Sequence, residues 1–205
     1  MSDTIDLVKG GRINLVKVVD RLTQIRTTIG WEMNSSDTGE DFDIDVTAFL
    51  LNNNKKCRNV KDVIFYGNLM SPNESVVHSP DNTTGGSEEV LEFIDVFFEK
   101  MDATVTEISI IASIYDAIER KQNFGQIENS TICIYDMSSG TPKLIVRYKM
   151  DEDFSTETSV QVGSFYKDEN NEWCFKAIGA GYKVGLSAYI EKYGLAVSEG
   201  KSKSL

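Results

Sequence analysis

Short β-branched and aromatic runs alternate with clusters of turn-forming residues along almost the whole chain, and this spacing constrains the fold more than any other feature. The runs at 12–16, 24–31, 44–51, 62–65, 76–78, 90–94, 107–114, 131–136, 144–148, 159–167 and 173–179 read as strands. Polar turn chemistry at 52–55, 138–141 and 168–171 sets hairpins between apolar neighbours. Helical spacing is confined to 116–123 and 185–193, with room for a single turn at 97–101. The predicted fold class is all-β with minor α: a two-sheet β-sandwich with short peripheral helices.

The 205 residues are within the reach of one all-β unit, so a single domain over 1–198 is expected, followed by a flexible tail at 199–205. A content of 40% hydrophobic and 26% charged residues is globular. No apolar run approaches the roughly 18 residues of a membrane span, so a membrane-inserted protein is not expected. Asp3 and Asp6 stand where a secretory leader would carry lysines before an apolar stretch, and a cytoplasmic location is expected. Cys57, Cys133 and Cys174 are odd in number and lack C-x-x-C spacing, which argues against a disulfide framework and a thiolate zinc site. A net charge of −11 repels polyanions and favours cations, so no nucleic-acid partner is expected.

The acids cluster. In Asp41-Phe42-Asp43-Ile44-Asp45 a period of two puts three carboxylates on one face of an extended segment and turns Phe42 and Ile44 to the other. Carboxylates so placed lie roughly 7 Å apart and repel one another, and a divalent cation removes that repulsion. Calcium accepts carboxylate, amide and carbonyl oxygens in flexible geometry, which suits an all-oxygen set. An EF-hand is excluded, because Val46 stands where that loop needs glycine. On the triplet alone, a metal site and a solvated acidic strand edge are equally good readings. A second segment, Asp81-Asn82-Thr83-Thr84-Gly85-Gly86-Ser87-Glu88-Glu89, supplies oxygens and two glycines that allow tight curvature. Asn68, after Phe65-Tyr66-Gly67, is a third candidate donor. Asp116 reads as a helix cap, Trp31 and Trp173 as core anchors, and the lone His78 as a surface residue at a strand end.

Several ordered motifs together resemble the TerD family of tellurium-resistance and stress proteins. They are Leu7-Val8-Lys9-Gly10, Gly30-Trp31-Glu32, the acid triplet, Phe65-Tyr66-Gly67-Asn68, Asp81-Asn82-Thr83-Thr84-Gly85, Tyr115-Asp116-Ala117, Phe124-Gly125-Gln126, Ser155-Thr156-Glu157-Thr158 and the stretch from Trp173 to Gly179 followed by Gly181-Tyr182. The resemblance implies a TerD-like sandwich that binds calcium at loops on one end. It puts Asp43, Asp45, Asn68, Asp81, Asn82 and the acid closing the glycine loop at ligand positions, with Asp41 at a less constant one. Glu32 stands where the family more often has Asp, and the glycine loop is shorter than the usual alternating pattern, which leaves one or two ions open.

The expected function is that of a calcium-binding stress-response protein acting as an ion-dependent interaction module. The expected metal ligands are Asp41, Asp43, Asp45, Asn68, Asp81, Asn82, Gly85, Glu88 and Glu89. The expected partners are other stress-response proteins, with a membrane-associated complex as a further candidate. A metal-dependent enzyme and a structural module whose acids are only surface charge are the rival readings. Against the enzyme, the chain shows no nucleophile–base arrangement, phosphate loop or histidine-rich metal set.

Overall fold

The computed structural model describes residues 4–33, 42–80, 92–150, 154 and 156–196. The chain begins with β1 (Ile5–Leu7), β2 (Arg12–Asn14) and the one-turn helix α1 (Leu15–Val18). The strands β3 (Gln24–Met33), β4 (Ile44–Leu51), β5 (Val63–Ile64), β6 (Val76–His78), β7 (Phe93–Phe97) and β8 (Glu107–Ile114) follow. Then come β9 (Ile127–Asp136), β10 (Lys143–Lys149), β11 (Ser159–Lys167), β12 (Trp173–Tyr182) and helix α2 (Ser187–Lys192). One sheet has the order β1-β10-β9-β3-β7-β6 and the other β2-β12-β11-β8-β4-β5. All pairings between these strands are antiparallel except β1 with β10.

The two inner faces meet in one apolar core, which includes Ile25, Ile29, Ile94, Val96, Ile132 and Ile134 from the first sheet and Ile44, Val46, Ile108, Ile110, Val160 and Val162 from the second. β4 is buried at every position. Its even-numbered residues fill that core, while Phe49 and Leu51 turn outward into a second cluster with Tyr189, Ile190 and Tyr193. Tyr189 of α2 and Tyr193, the residue that caps its C-terminus, lie about one helical turn apart and so present one face to the sheet. Polar residues beneath the helix are paired. The Tyr193 hydroxyl and Ser109 Oγ are 2.8 Å apart, Gln161 Nε2 donates to Ser109 Oγ at 2.8 Å, and Lys192 Nζ donates to Gln161 Oε1 at 3.2 Å.

Most of the expected strands are present, with displaced ends. The run at 12–16 stops at Asn14, whose side chain accepts the Lys17 N–H at 3.2 Å and so caps α1. The strand expected at 90–94 is β7, beginning at Phe93; residues 90 and 91 lie outside the described residues, as does the expected tail at 199–205. The helix expected at 116–123 is a series of turns. Asp116 has φ +48° and does not cap a helix, and Ile118 is 77% exposed, so no apolar stripe forms there for the core to bury. Trp173 is buried and Trp31 packs against the core, as expected.

Gly163 follows an irregularity in register shared by both neighbours of β11. A Cβ there would overlap the Phe175 ring and lie 2.9 Å from the Lys176 carbonyl oxygen. The substitution Gly163→Ala is expected to lower the unfolding free energy by about 1–3 kcal/mol through overpacking, read as a reduced urea midpoint at unchanged slope. Combined with Phe175→Leu, which gives the ring space back, the loss is expected to be smaller than the sum of the two single losses.

Candidate functional site

The antiparallel order brings the start of β4, the ends of β6 and β8 and the start of β7 to one end of the sandwich. Asp43 and Asp45 enter β4 there. Phe42 and Ile44 are in the core, so the two acids take the opposite face, as the period of two requires. The Asp43 carbonyl accepts the Tyr115 N–H at 2.9 Å, and Asp45, 7% exposed, stands opposite Ser113 of β8. Asn68 closes a tight turn in which Phe65 and Asn68 exchange backbone hydrogen bonds at 3.1 and 2.9 Å. Its Nδ2 donates to the Val63 carbonyl at 2.7 Å, which turns Oδ1 into the side chain's free acceptor among the described residues. The pairs Ala48↔Ile64 and Phe49↔Val63 direct this turn toward the Asp45 end of β4.

The other expected ligands, Asp41, Asp81, Asn82, Gly85, Glu88 and Glu89, lie outside the described residues. Among the described residues, no three His, Cys, Asp or Glu side chains come together as a metal cage. Asp43 and Asp45 thus share one face where the chain enters β4, and the turn that carries Asn68 is directed toward that end.

The same end holds a polar group that the sequence reading placed wrongly. His78 is not a surface residue: its side chain is 0% exposed. Its Nδ1 is 2.5 Å from the Ser79 carbonyl and its Nε2 2.8 Å from the Val46 carbonyl. Glu92, 2% exposed, accepts the Val46 N–H at 2.8 Å, and its carboxylate lies 3.7 Å from His78 Nε2. The cause is the shortness of β5. It pairs with Ala48 and Phe49 only, so the backbone groups of Val46 on that side lack a strand partner. Two side chains from the opposite sheet take them instead, because buried peptide groups must be paired. The available sequence signal was an acid, Glu92, inside an apolar run, together with the only histidine in the chain.

Comparison with known proteins agrees with the architecture. A model of the TerD domain family matches residues 3–193. The chain belongs to the TerD family. It is 41% identical to General stress protein 16U of Bacillus subtilis (strain 168), over 95% of this chain and 99% of the relative. It is 37% identical to Tellurium resistance protein TerD of Serratia marcescens, over 95% of this chain and all of that protein. The crystal structure of a TerD homologue from Streptomyces coelicolor A3(2) superposes with a TM-score of 0.66 at 13% identity, covering 86% of this chain and all of that one, and so shares the fold. No described helix is long and apolar enough to cross a membrane.

Three free thiols complete the chemical inventory of this TerD chain. Burial pushes the Cys57 thiol up to about 12, and burial is also the main cause that raises Cys133 and Cys174. A thiolate is the reactive form, so at pH 8 native protein is expected to react with a disulfide reagent far more slowly than unfolded protein. For the polar group around Val46, His78→Ala and Glu92→Ala are each expected to cost about 2–4 kcal/mol in denaturant melts. The double variant should fall well short of their sum, because both side chains bond the backbone of one residue, Val46, and lie 3.7 Å from each other.

Proposed function

We propose that this TerD-family chain is a calcium-binding stress-response protein of the cytoplasm, acting as an ion-dependent interaction module and not as a catalyst. The observation that carries the reading is Asp45. The residue is 7% exposed at the loop end of the sandwich, on the same face as Asp43 and held there by Phe42 and Ile44 in the core. Carboxylates that share one face at the mouth of a strand offer a hard cation several oxygens at once. One or two Ca²⁺ ions, each taking six to eight oxygens in flexible geometry, suit Asp43, Asp45 and the Asn68 amide oxygen, completed by Asp41, Asp81, Asn82, Gly85, Glu88 and Glu89. Two residues along the same face, Thr47 Oγ1 is buried without a hydrogen-bond partner among the described residues, a further sign that this face is built to hold polar matter.

A catalytic reading lacks parts. Both nitrogens of the one histidine are engaged by carbonyls, and the thiols are shifted toward their inert form. In the proposed mechanism, ion occupancy draws mutually repelling carboxylates together and fixes the loops at that end. The ordered surface is then offered to other stress-response proteins, including one in a membrane-associated complex. Because carboxylates must be deprotonated to bind, affinity falls with acid.

Isothermal titration of the purified chain is expected to show calcium binding in preference to magnesium. At a hundredfold excess over the dissociation constant, calcium should stabilise the native state by about 2.7 kcal/mol per site, and Asp43→Ala should remove most of this gain. No heat of binding, together with a melting temperature indifferent to calcium, would overturn the proposal.

A further inference from the structure

On the outer side of the second sheet, between the turn after β5 and the chain leaving α2, the surface opens into a cavity of about 310 Å³. This is a size typical of sites for small molecules. Its walls are apolar: Val60, Val63, Phe65, Ile190 and Leu195, with Lys61 and Asn68 at the rim. Val60, 65% exposed, is a large hydrophobic side chain left in water beside it.

The rim specifies the occupant. Arg58, three residues before Lys61, is taken by Asp62 at 2.6 Å and by Asp102 at 2.6 Å. Lys61 is exposed and has no ion-pair partner among the described residues, so it is the positive charge left at the mouth, in a chain whose net charge is −11. A peptide partner would gain little by adding as a strand to β5, because the Val63 carbonyl already accepts from Asn68 Nδ2. What remains is an apolar recess with a single ammonium group at its edge.

We propose that this cavity binds a free medium-chain alkyl carboxylate, with the chain among Val60, Val63, Phe65, Ile190 and Leu195 and the carboxylate at Lys61. The cavity shares Asn68 with the candidate ion site, but its apolar lining and Lys61 lie outside that ligand set, so its occupant does not require calcium. The Asn68 amide fixes the wall of the cavity through Val63, and needs no ion to do so.

The test is titration of the full chain with octanoate and decanoate below their micelle concentrations, in the presence of EDTA, followed by calorimetry and by amide NMR shifts of Val63, Gly67 and Asn68. Saturable binding of one molecule is expected, tightening about fourfold for each added methylene. Lys61→Glu should weaken it by at least about tenfold. Val60→Asp should abolish it, and since Val60 is mostly in solvent this variant is expected to fold normally. Decyltrimethylammonium should not compete. The proposal is overturned if decanoate does not saturate, if both variants bind as well as the parent, or if the cationic amphiphile binds equally well. Binding to anionic lipid vesicles, or to apolar peptides, without binding of free decanoate would overturn it as well.

Discussion

Burial of β4 on both faces is the constraint on which the remaining structure depends. A strand with one wet face needs a single covering layer, but β4 needs the opposite sheet on one side and α2 on the other. The second requirement explains why the chain continues past its last strand into a helix bearing Tyr189, Ile190 and Tyr193. It also explains why the outer face of the sheet mixes Phe49 and Leu51 with Ser109 and Gln161. The polar members do not face water; they bond with the Tyr193 hydroxyl and Lys192 of the helix, so the covering layer is both packed and oriented.

This arrangement separates what a local pattern can reveal from what it cannot. The strands of the core were legible because β-branched residues recur in them between turn signals, and β8, β11 and β4 have the bounds expected of them. Residues 116–123 look helical because charges are interleaved with apolar side chains, but the apolar positions diverge. Ala117 is buried and Ile118 is in solvent, and the positive φ of Asp116 makes a turn. Ser109 and Gln161 are polar yet buried, bonded to Tyr193 and Lys192 at the end of α2, a covering layer that no local pattern in their own strands announces. In the candidate site, the opposite facing of Asp43 and Ile44 follows from the period of two. His78 and Glu92 did not follow from any period: their role answers a shortage of backbone partners at Val46, set by the length of a strand in the other sheet.

That shortage has a consequence for the candidate ion site. Val46 directly follows Asp45, and the side chains that hold it lie on either side, in sequence, of the segment with Asp81, Asn82 and the glycine pair. His78 ends β6, and Glu92 stands just before β7. The two roots are joined as well, since the Ser79 N–H donates to the Phe93 carbonyl at 2.9 Å and the Phe93 N–H to Ser79 Oγ at 3.1 Å. Both roots of that segment are therefore tied to each other and to the residue beside Asp45. Groups brought to an ion by separate segments bind well only if the distance between the segments is set before the ion arrives, because the entropy of ordering them would otherwise oppose binding. On the proposed function, His78 and Glu92 would therefore govern affinity without being ligands, by fixing that distance from within the core, in the way that residues behind metal ligands orient them.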